Sequence, residues 1–196
     1  VHRFLSNPQR AFETGHRLLH CAGTGEAVSM IRTLSDLNCQ KEALFQKHPK
    51  LSRYNCHRIS DIGVSIDELR SFIWKCWQND YQQGVTIVSE PFIEWCIGDG
   101  YLHEPSSLAV LDNHEKLLGV VLGIKREYDW CGKTFPSVLN TSFSVDPQYR
   151  GQGICQYLRL SYLAANLIQG YPLTVGWFDS RHNRPGTAYH LYAEKN

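Results

Sequence analysis

The stretch that most constrains this chain is Val145-Asp146-Pro147-Gln148-Tyr149-Arg150-Gly151-Gln152-Gly153-Ile154. An apolar, strand-like run ends at Val145, Pro147 breaks it, and a glycine-bearing loop opens a long helical pattern. Such a junction exposes several backbone N–H groups at the positive end of a helix dipole, which suits a phosphate or pyrophosphate. Glycine at 151 and 153 removes the side chains that would hold phosphates away from the backbone. The loop has no Gly-Lys-Ser/Thr ending, so it is not a P-loop. It also lacks the third glycine and the following acid of a dinucleotide fingerprint, and the strands before it pair antiparallel.

The elements around the loop follow from pattern and punctuation. Residues 1–56 show helical periodicity, with Phe4, Leu5, Phe12, Leu18 and Leu19 before Gly23-Thr24-Gly25 and Val28, Ile31, Leu34, Leu37, Leu44 and Phe45 after it. They are expected to form a helical N-terminal extension to a domain over 57–196. In that domain a short strand is expected over His57 to Val64. Ser65-Ile66-Asp67-Glu68 is a capping box that starts a helix carrying Leu69, Phe72, Ile73, Trp74 and Trp77 to about Asp80. Ser89-Glu90-Pro91 opens a second helix, with Pro91 in its first turn and Gly98-Asp99-Gly100 as its stop. Strands follow over Ser107–Leu111, Leu117–Tyr128 and Phe135–Val145. The turn at Asp112-Asn113-His114-Glu115 makes the first two antiparallel. A helix from Gly153 to about Gln169 ends at Gly170-Tyr171-Pro172. It leads to a strand over Leu173–Phe178 that pairs in parallel, and a last helix is expected over Thr187 to about Glu194. The expected fold class is α/β (α+β): a mixed, mostly antiparallel sheet flanked by helices.

Composition excludes several functions. Lys and Arg total 20 against 19 Asp and Glu, a net charge of +1, so there is no basic footprint for nucleic acid. No apolar run approaches the roughly 20 residues of a membrane span. Seven cysteines at wide spacing, with no Cys-x-x-Cys pair, form neither a disulfide framework nor a zinc signature. With the start Val1-His2-Arg3-Phe4 carrying no apolar leader, the expectation is mostly buried, reduced thiols in a cytoplasmic protein. His16 and His20 stand four apart beside Cys21, but no third ligand is in register, and no metal site is expected. Asn140-Thr141-Ser142 fits a glycosylation sequon by chance, inside a strand.

The loop Gln148-Tyr149-Arg150-Gly151-Gln152-Gly153 resembles the pyrophosphate motif Q/R-x-x-G-x-G/A of the GNAT superfamily of acyl-CoA N-acyltransferases. The order of elements over residues 57–196 is similar to that family as well. A narrower resemblance is to the first lobe of N-myristoyltransferases, in Glu68-Leu69 through Ser89-Glu90-Pro91-Phe92-Ile93-Glu94-Trp95, in Pro136-Ser137-Val138, and in Arg184-Pro185-Gly186-Thr187-Ala188 through Asn196. Those enzymes use two such lobes; this sequence carries one, with a loop of the general GNAT form.

The resemblance implies acyl transfer from a CoA thioester directly to an amine. Acetyl-CoA is the expected donor, and the acceptor is a small amine or a peptide or protein amino group. A longer-chain donor, restricted by bulky Phe143, Trp177 and Phe178, is one alternative; a non-catalytic CoA-binding module is another. A homodimer is compatible with it. The resemblance places the pyrophosphate on the backbone of Gly151, Gln152, Gly153 and Ile154 within the loop Gln148, Tyr149 and Arg150, with pantetheine along Val145. It makes the Phe143 N–H the oxyanion donor. Tyr192, with Tyr189 as second choice, protonates the leaving thiolate. Candidate bases are Glu127, Asp129 and Asp179, with Glu127 foremost. Cys155, in the first turn of the loop's helix, is expected to pack.

Overall fold

The computed structural model describes residues 33–78, 90–97, 101–130, 132–171 and 173–176. Its elements are α1 (Leu34–Lys47), β1 (Asn55–Arg58), α2 (Ile66–Trp77), α3 (Glu90–Ile97), β2 (Leu108–Leu111), β3 (Leu117–Trp130), β4 (Lys133–Val145), α4 (Ile154–Ile168) and β5 (Leu173–Gly176). The strands form one sheet in the order β1-β2-β3-β4-β5. The first four pair antiparallel, and β5 pairs in parallel with β4 across the α4 crossover, as its length requires.

Two apolar clusters divide along the faces of the sheet. On one face α1 and α4 bring Leu37, Leu44, Ile154 and Leu158 against Val110 and Val121. On the other, α2 and α3 bring Leu69, Ile73 and Ile93 against Val120, Leu122 and Ile124. Part of the stretch expected as an extension therefore supplies core: Leu37, Leu44 and Leu51 are buried with the sheet residues. Residues 1–32 lie outside the described residues.

Local chemistry sets the element ends. The Ser65 hydroxyl accepts the Glu68 N–H at 3.2 Å while the Glu68 carboxylate accepts the Ser65 N–H at 2.9 Å, closing the expected capping box. A second box, Thr33 with Asp36, starts α1. The first strand differs from expectation. It is Asn55–Arg58 rather than His57–Val64, because its partner β2 offers only four residues, from Asn55↔Leu111 to Arg58↔Leu108. Beyond it Ile59–Asp61 forms a 3-10 turn and Gly63 takes a left-handed φ of 62°, which a strand cannot hold. The β3–β4 ribbon is longer than expected, running to Trp130 and resuming at Lys133 around left-handed Gly132. The expected helix over Thr187–Glu194 and the strand beyond Gly176 lie outside the described residues.

Candidate active site

The strand-to-helix loop is built around a buried carboxylate. Asp146 follows β4 directly and is fully buried. Its Oδ1 accepts the Gln148 N–H at 3.0 Å, capping the 3-10 turn Pro147–Tyr149, and its Oδ2 takes the Lys75 ammonium of α2 at 2.8 Å. Burial pushes this carboxyl pKa up, but the Lys75 bond and the Gln148 N–H outweigh it and hold the group below the ordinary carboxylate range. Asp-Pro is a turn-opening pair, so the anchoring role of Asp146 had a sequence signal. Lys75, 71 residues away in the chain, had none.

The loop's side chains are mostly engaged by the protein. The Arg150 guanidinium donates to the Cys76 carbonyl at the end of α2. The Gln152 carbonyl oxygen accepts the Tyr54 hydroxyl at 3.2 Å. Tyr149 packs edge-on to Tyr54, with the Lys116 ammonium 4.7 Å over its ring and 3.3 Å from its hydroxyl. Ile154 points into the core. What the loop leaves available is backbone: among the described residues no acceptor takes the N–H of Gly151, Gln152, Gly153 or Ile154. These amides sit at the N-terminus of the 15-residue α4, where the dipole adds positive potential.

The two glycines differ in what they permit. Gly151 (φ 79°) has open space on its side-chain side, with nothing within 4 Å of an added methyl. Gly153 (φ 86°) has none, because a methyl there meets the His48 ring at 2.9 Å and Leu51 at 3.0 Å. One glycine opens the cradle outward, and the other lets it pack onto the segment after α1.

The strand leading into the loop carries a bulge. Val120 pairs with Ser144 but Leu122 pairs with Thr141, so Ser142 and Phe143 together face Val121, and Ser142 takes a φ of 53°. The Asp146 N–H donates to the Leu118 carbonyl across β3. Strand alternation then turns the N–H groups of Val145 and Phe143 to the opposite edge, on the side where β5 lies. The described β5 pairing ends at Asn140↔Gly176, before that edge. The Phe143 ring packs edge-on against Tyr162 of α4, 6.1 Å away. From the other face Trp77 of α2 donates its indole N–H to the Ser144 hydroxyl at 2.8 Å, which donates on to the Ser142 carbonyl at 3.1 Å. Sequence reasoning missed this tie.

Glu127 is exposed and stands opposite Pro136, seven residues before Phe143 on β4. At about 3.3 Å per residue that is roughly 20 Å from the bulge, so the structure does not bring it to Phe143. Asp129, two residues farther along β3, is more distant still and accepts the Thr134 hydroxyl. Tyr192, Tyr189, Asp179, Trp177 and Phe178 lie outside the described residues, as do His16, His20 and Cys21. Cys155 is exposed rather than packed, since the core face of α4 runs through Ile154, Tyr157 and Leu158. Burial pushes the Cys76 and Cys96 thiols up to about 12, which leaves them inert. Asn140 is 5% exposed and cannot serve as a glycosylation acceptor. Among the described residues no three His, Cys, Asp or Glu side chains cluster to hold a metal, and no helix is long and apolar enough to cross a membrane.

A cavity of about 520 Å³ opens elsewhere, lined by His103, Glu104, Lys125, Pro136, Gln169 and Tyr171. It sits at the start of β4, nine residues from Val145, and contains none of the loop amides. Its histidine is buried, with a pKa pushed down to about 4 by desolvation, and Nδ1 lies 2.6 Å from the Ser106 hydroxyl. The cavity lacks an anion cradle and a free strand edge, so the glycine loop and the bulged end of β4 form the candidate site.

Comparison with solved structures places the fold. A Pyrococcus furiosus protein whose acetyl transferase assignment is itself provisional matches with a TM-score of 0.55 and 14% identity, covering 73% of this chain and 93% of that one. Saccharomyces cerevisiae N-myristoyltransferase with bound myristoyl-CoA matches at 0.51 and 15% identity, over 64% of this chain but only 29% of that one. A transcriptional regulator of Bacillus halodurans C-125 matches at 0.51 and 11% identity, over 71% and 89%. The chain has the GNAT-like fold shared by acetyltransferases and N-myristoyltransferases, and its match spans under a third of the myristoyltransferase's length. No protein-family model and no curated protein sequence matches the chain.

Proposed function

We propose that this chain is an acyl-CoA-dependent N-acyltransferase that moves the acyl group from the CoA thioester directly to an amine. The observation that carries the reading is the cradle of four amides, Gly151 to Ile154, unclaimed among the described residues and continuous with a strand edge at Phe143 and Val145. A pyrophosphate needs the first, and a pantetheine arm pairing like an added strand needs the second. Because amides and a helix dipole hold the phosphates, the near-neutral net charge of +1 is no obstacle. A short acyl-CoA is the proposed donor, with acetyl-CoA its simplest probe, and the acceptor is a small amine or a peptide or protein amino group.

In this reading the Phe143 N–H polarises the thioester carbonyl and stabilises the oxyanion formed when the amine attacks; one such donor is worth about 3 kcal/mol. The carbon–sulfur bond then breaks and the leaving thiolate takes a proton from Tyr192. The amine's own proton goes to solvent or to Asp179, since Glu127 stands too far along the ribbon to accept it. Calorimetry with acetyl-CoA, on wild type and on a Gly151→Asp, Gly153→Asp double variant, tests the cradle. The expected result is binding by the wild type alone, because two carboxylates would face the diphosphate. Absence of wild-type binding, or equal binding by both proteins, refutes the site. Release of free CoA on adding an amine then separates an enzyme from a CoA-binding module.

A further inference from the structure

The buried polar side chains near β4 are nearly all paired. Among the described residues Ser107 donates to the His103 carbonyl at 3.1 Å, Ser137 to the Arg126 carbonyl at 3.0 Å, and His103 and Ser106 bond each other. Asn140 stands apart because both of its polar atoms are open: it is 5% exposed, and among the described residues neither its Oδ1 nor its Nδ2 has a partner. An unpaired buried amide is costly, so a native chain keeps one where an ordered water or a bound group completes it.

Its position suggests what completes it. Asn140 forms the last described rung of the β4–β5 pairing, with Gly123 across on β3 and Gly176 across on β5. The β3 side is closed, since a methyl on Gly123 would meet the Ser106 hydroxyl at 2.2 Å and Val138 at 3.1 Å. The β5 side carries no side chain at Gly176. Above this rung passes α4: Tyr162 packs on Phe143, and Asn166, one turn on, donates to Thr174 on β5 at 3.0 Å. Alternation puts Asn140 on the sheet face of Val138 and Thr174, between those two contacts. The Asn166 Oδ1 is also buried and unpaired.

An acyl group held at the Phe143 N–H, on a pantetheine arm arriving from the loop, extends toward this rung. Phe143 faces Val121 and Asn140 faces Gly123, so the bulge leaves only two residues of β3, about 7 Å, between them. We propose that Asn140, with Asn166 beside it, is the specificity site for the acyl group, and that the donor is a short acyl-CoA whose chain bears a neutral hydrogen-bonding group such as a hydroxyl. A hydroxyl both donates and accepts, matching an amide that offers Nδ2 and an oxygen; an aliphatic chain would leave both atoms unsatisfied. The inference rests on the acyl-CoA reading above.

The test is calorimetry with three ligands: free CoA, butyryl-CoA and β-hydroxybutyryl-CoA, which has the same chain with one hydroxyl added. The expected result is that wild type binds the hydroxyacyl thioester about tenfold tighter than butyryl-CoA. In Asn140→Leu the ratio should fall to one or invert, and Asn140→Ala serves where the leucine variant does not fold. Equal wild-type affinity for the two thioesters, with CoA bound, overturns the specificity site and leaves the acyl-CoA reading standing. An unchanged ratio in both variants does the same. Failure of CoA itself to bind overturns both.

Discussion

Replacing Gly151 and Gly153 separately by alanine should give two different failures. Both residues hold left-handed backbone, at φ 79° and 86°. An alanine there costs about 1–2 kcal/mol at either position. At Gly151 that is the whole cost, since the added methyl meets nothing within 4 Å. At Gly153 the methyl must also displace the His48 ring, 2.9 Å away, and the fully buried Leu51, 3.0 Å away. Overpacking adds about 1–3 kcal/mol. For a chain of this length each kcal/mol lowers the melting temperature by about 2–4 °C. Gly151→Ala should therefore melt roughly 3–6 °C below wild type and Gly153→Ala roughly 6–15 °C below. CoA affinity should run the other way. The Gly151 methyl projects into the open side of the cradle and should weaken CoA at least about tenfold, whereas the Gly153 methyl projects into the protein and should cost about threefold or less at temperatures where the variant is folded. Thermal denaturation and calorimetry on the same preparations measure both. Normal CoA binding by Gly151→Ala would show that the open side of the loop does not face the phosphates. Equal melting temperatures would show that the loop does not pack on His48 and Leu51.

Three further outcomes are expected. Tyr192→Phe should slow amine-dependent release of CoA while leaving CoA affinity within about twofold, and an unchanged rate removes Tyr192 as the proton donor. Lys75→Met should leave the Asp146 carboxylate buried with only the Gln148 N–H, costing about 1–3 kcal/mol, toward the low end because Lys75 is half exposed. Because the folded-state pKa of Asp146 lies below its ordinary value, its contribution is present above about pH 4 and lost as pH falls through the folded pKa. Asp146→Asn should flatten that acid limb of the stability curve in urea titrations, and an unaltered limb refutes the assignment.

The features legible in the sequence are those whose cause is local. The Ser65–Glu68 box, the Pro147 break, the glycines of the loop and the tight turn after β2 each act within a few residues, and each falls where the pattern puts it. The first strand departs from its sequence pattern because its ends are set by a partner fifty residues away: β2 has four residues to offer, so Ile62 and Val64, apolar enough for a strand, pack instead against the α2–α3 cluster. The same limit hid what holds the site. Lys75, Trp77 and the Cys76 carbonyl sit at consecutive positions on α2 and reach Asp146, Ser144 and Arg150, three positions spanning the bulge and the loop. Nothing in a capping box or an apolar stripe announces that a helix end will grip a strand 67 to 74 residues later. Yet that grip has a consequence for chemistry. In the proposed reaction the Phe143 N–H and the cradle at Gly151–Ile154, which belong to one continuous segment, would both meet the thioester at once. With the two ends tied to the same three residues of α2, their spacing is set by a helix rather than by the loop's own glycines. On that proposal a disturbance at the end of α2 should move the acyl group relative to the phosphates, which would make α2 part of what aligns the reaction.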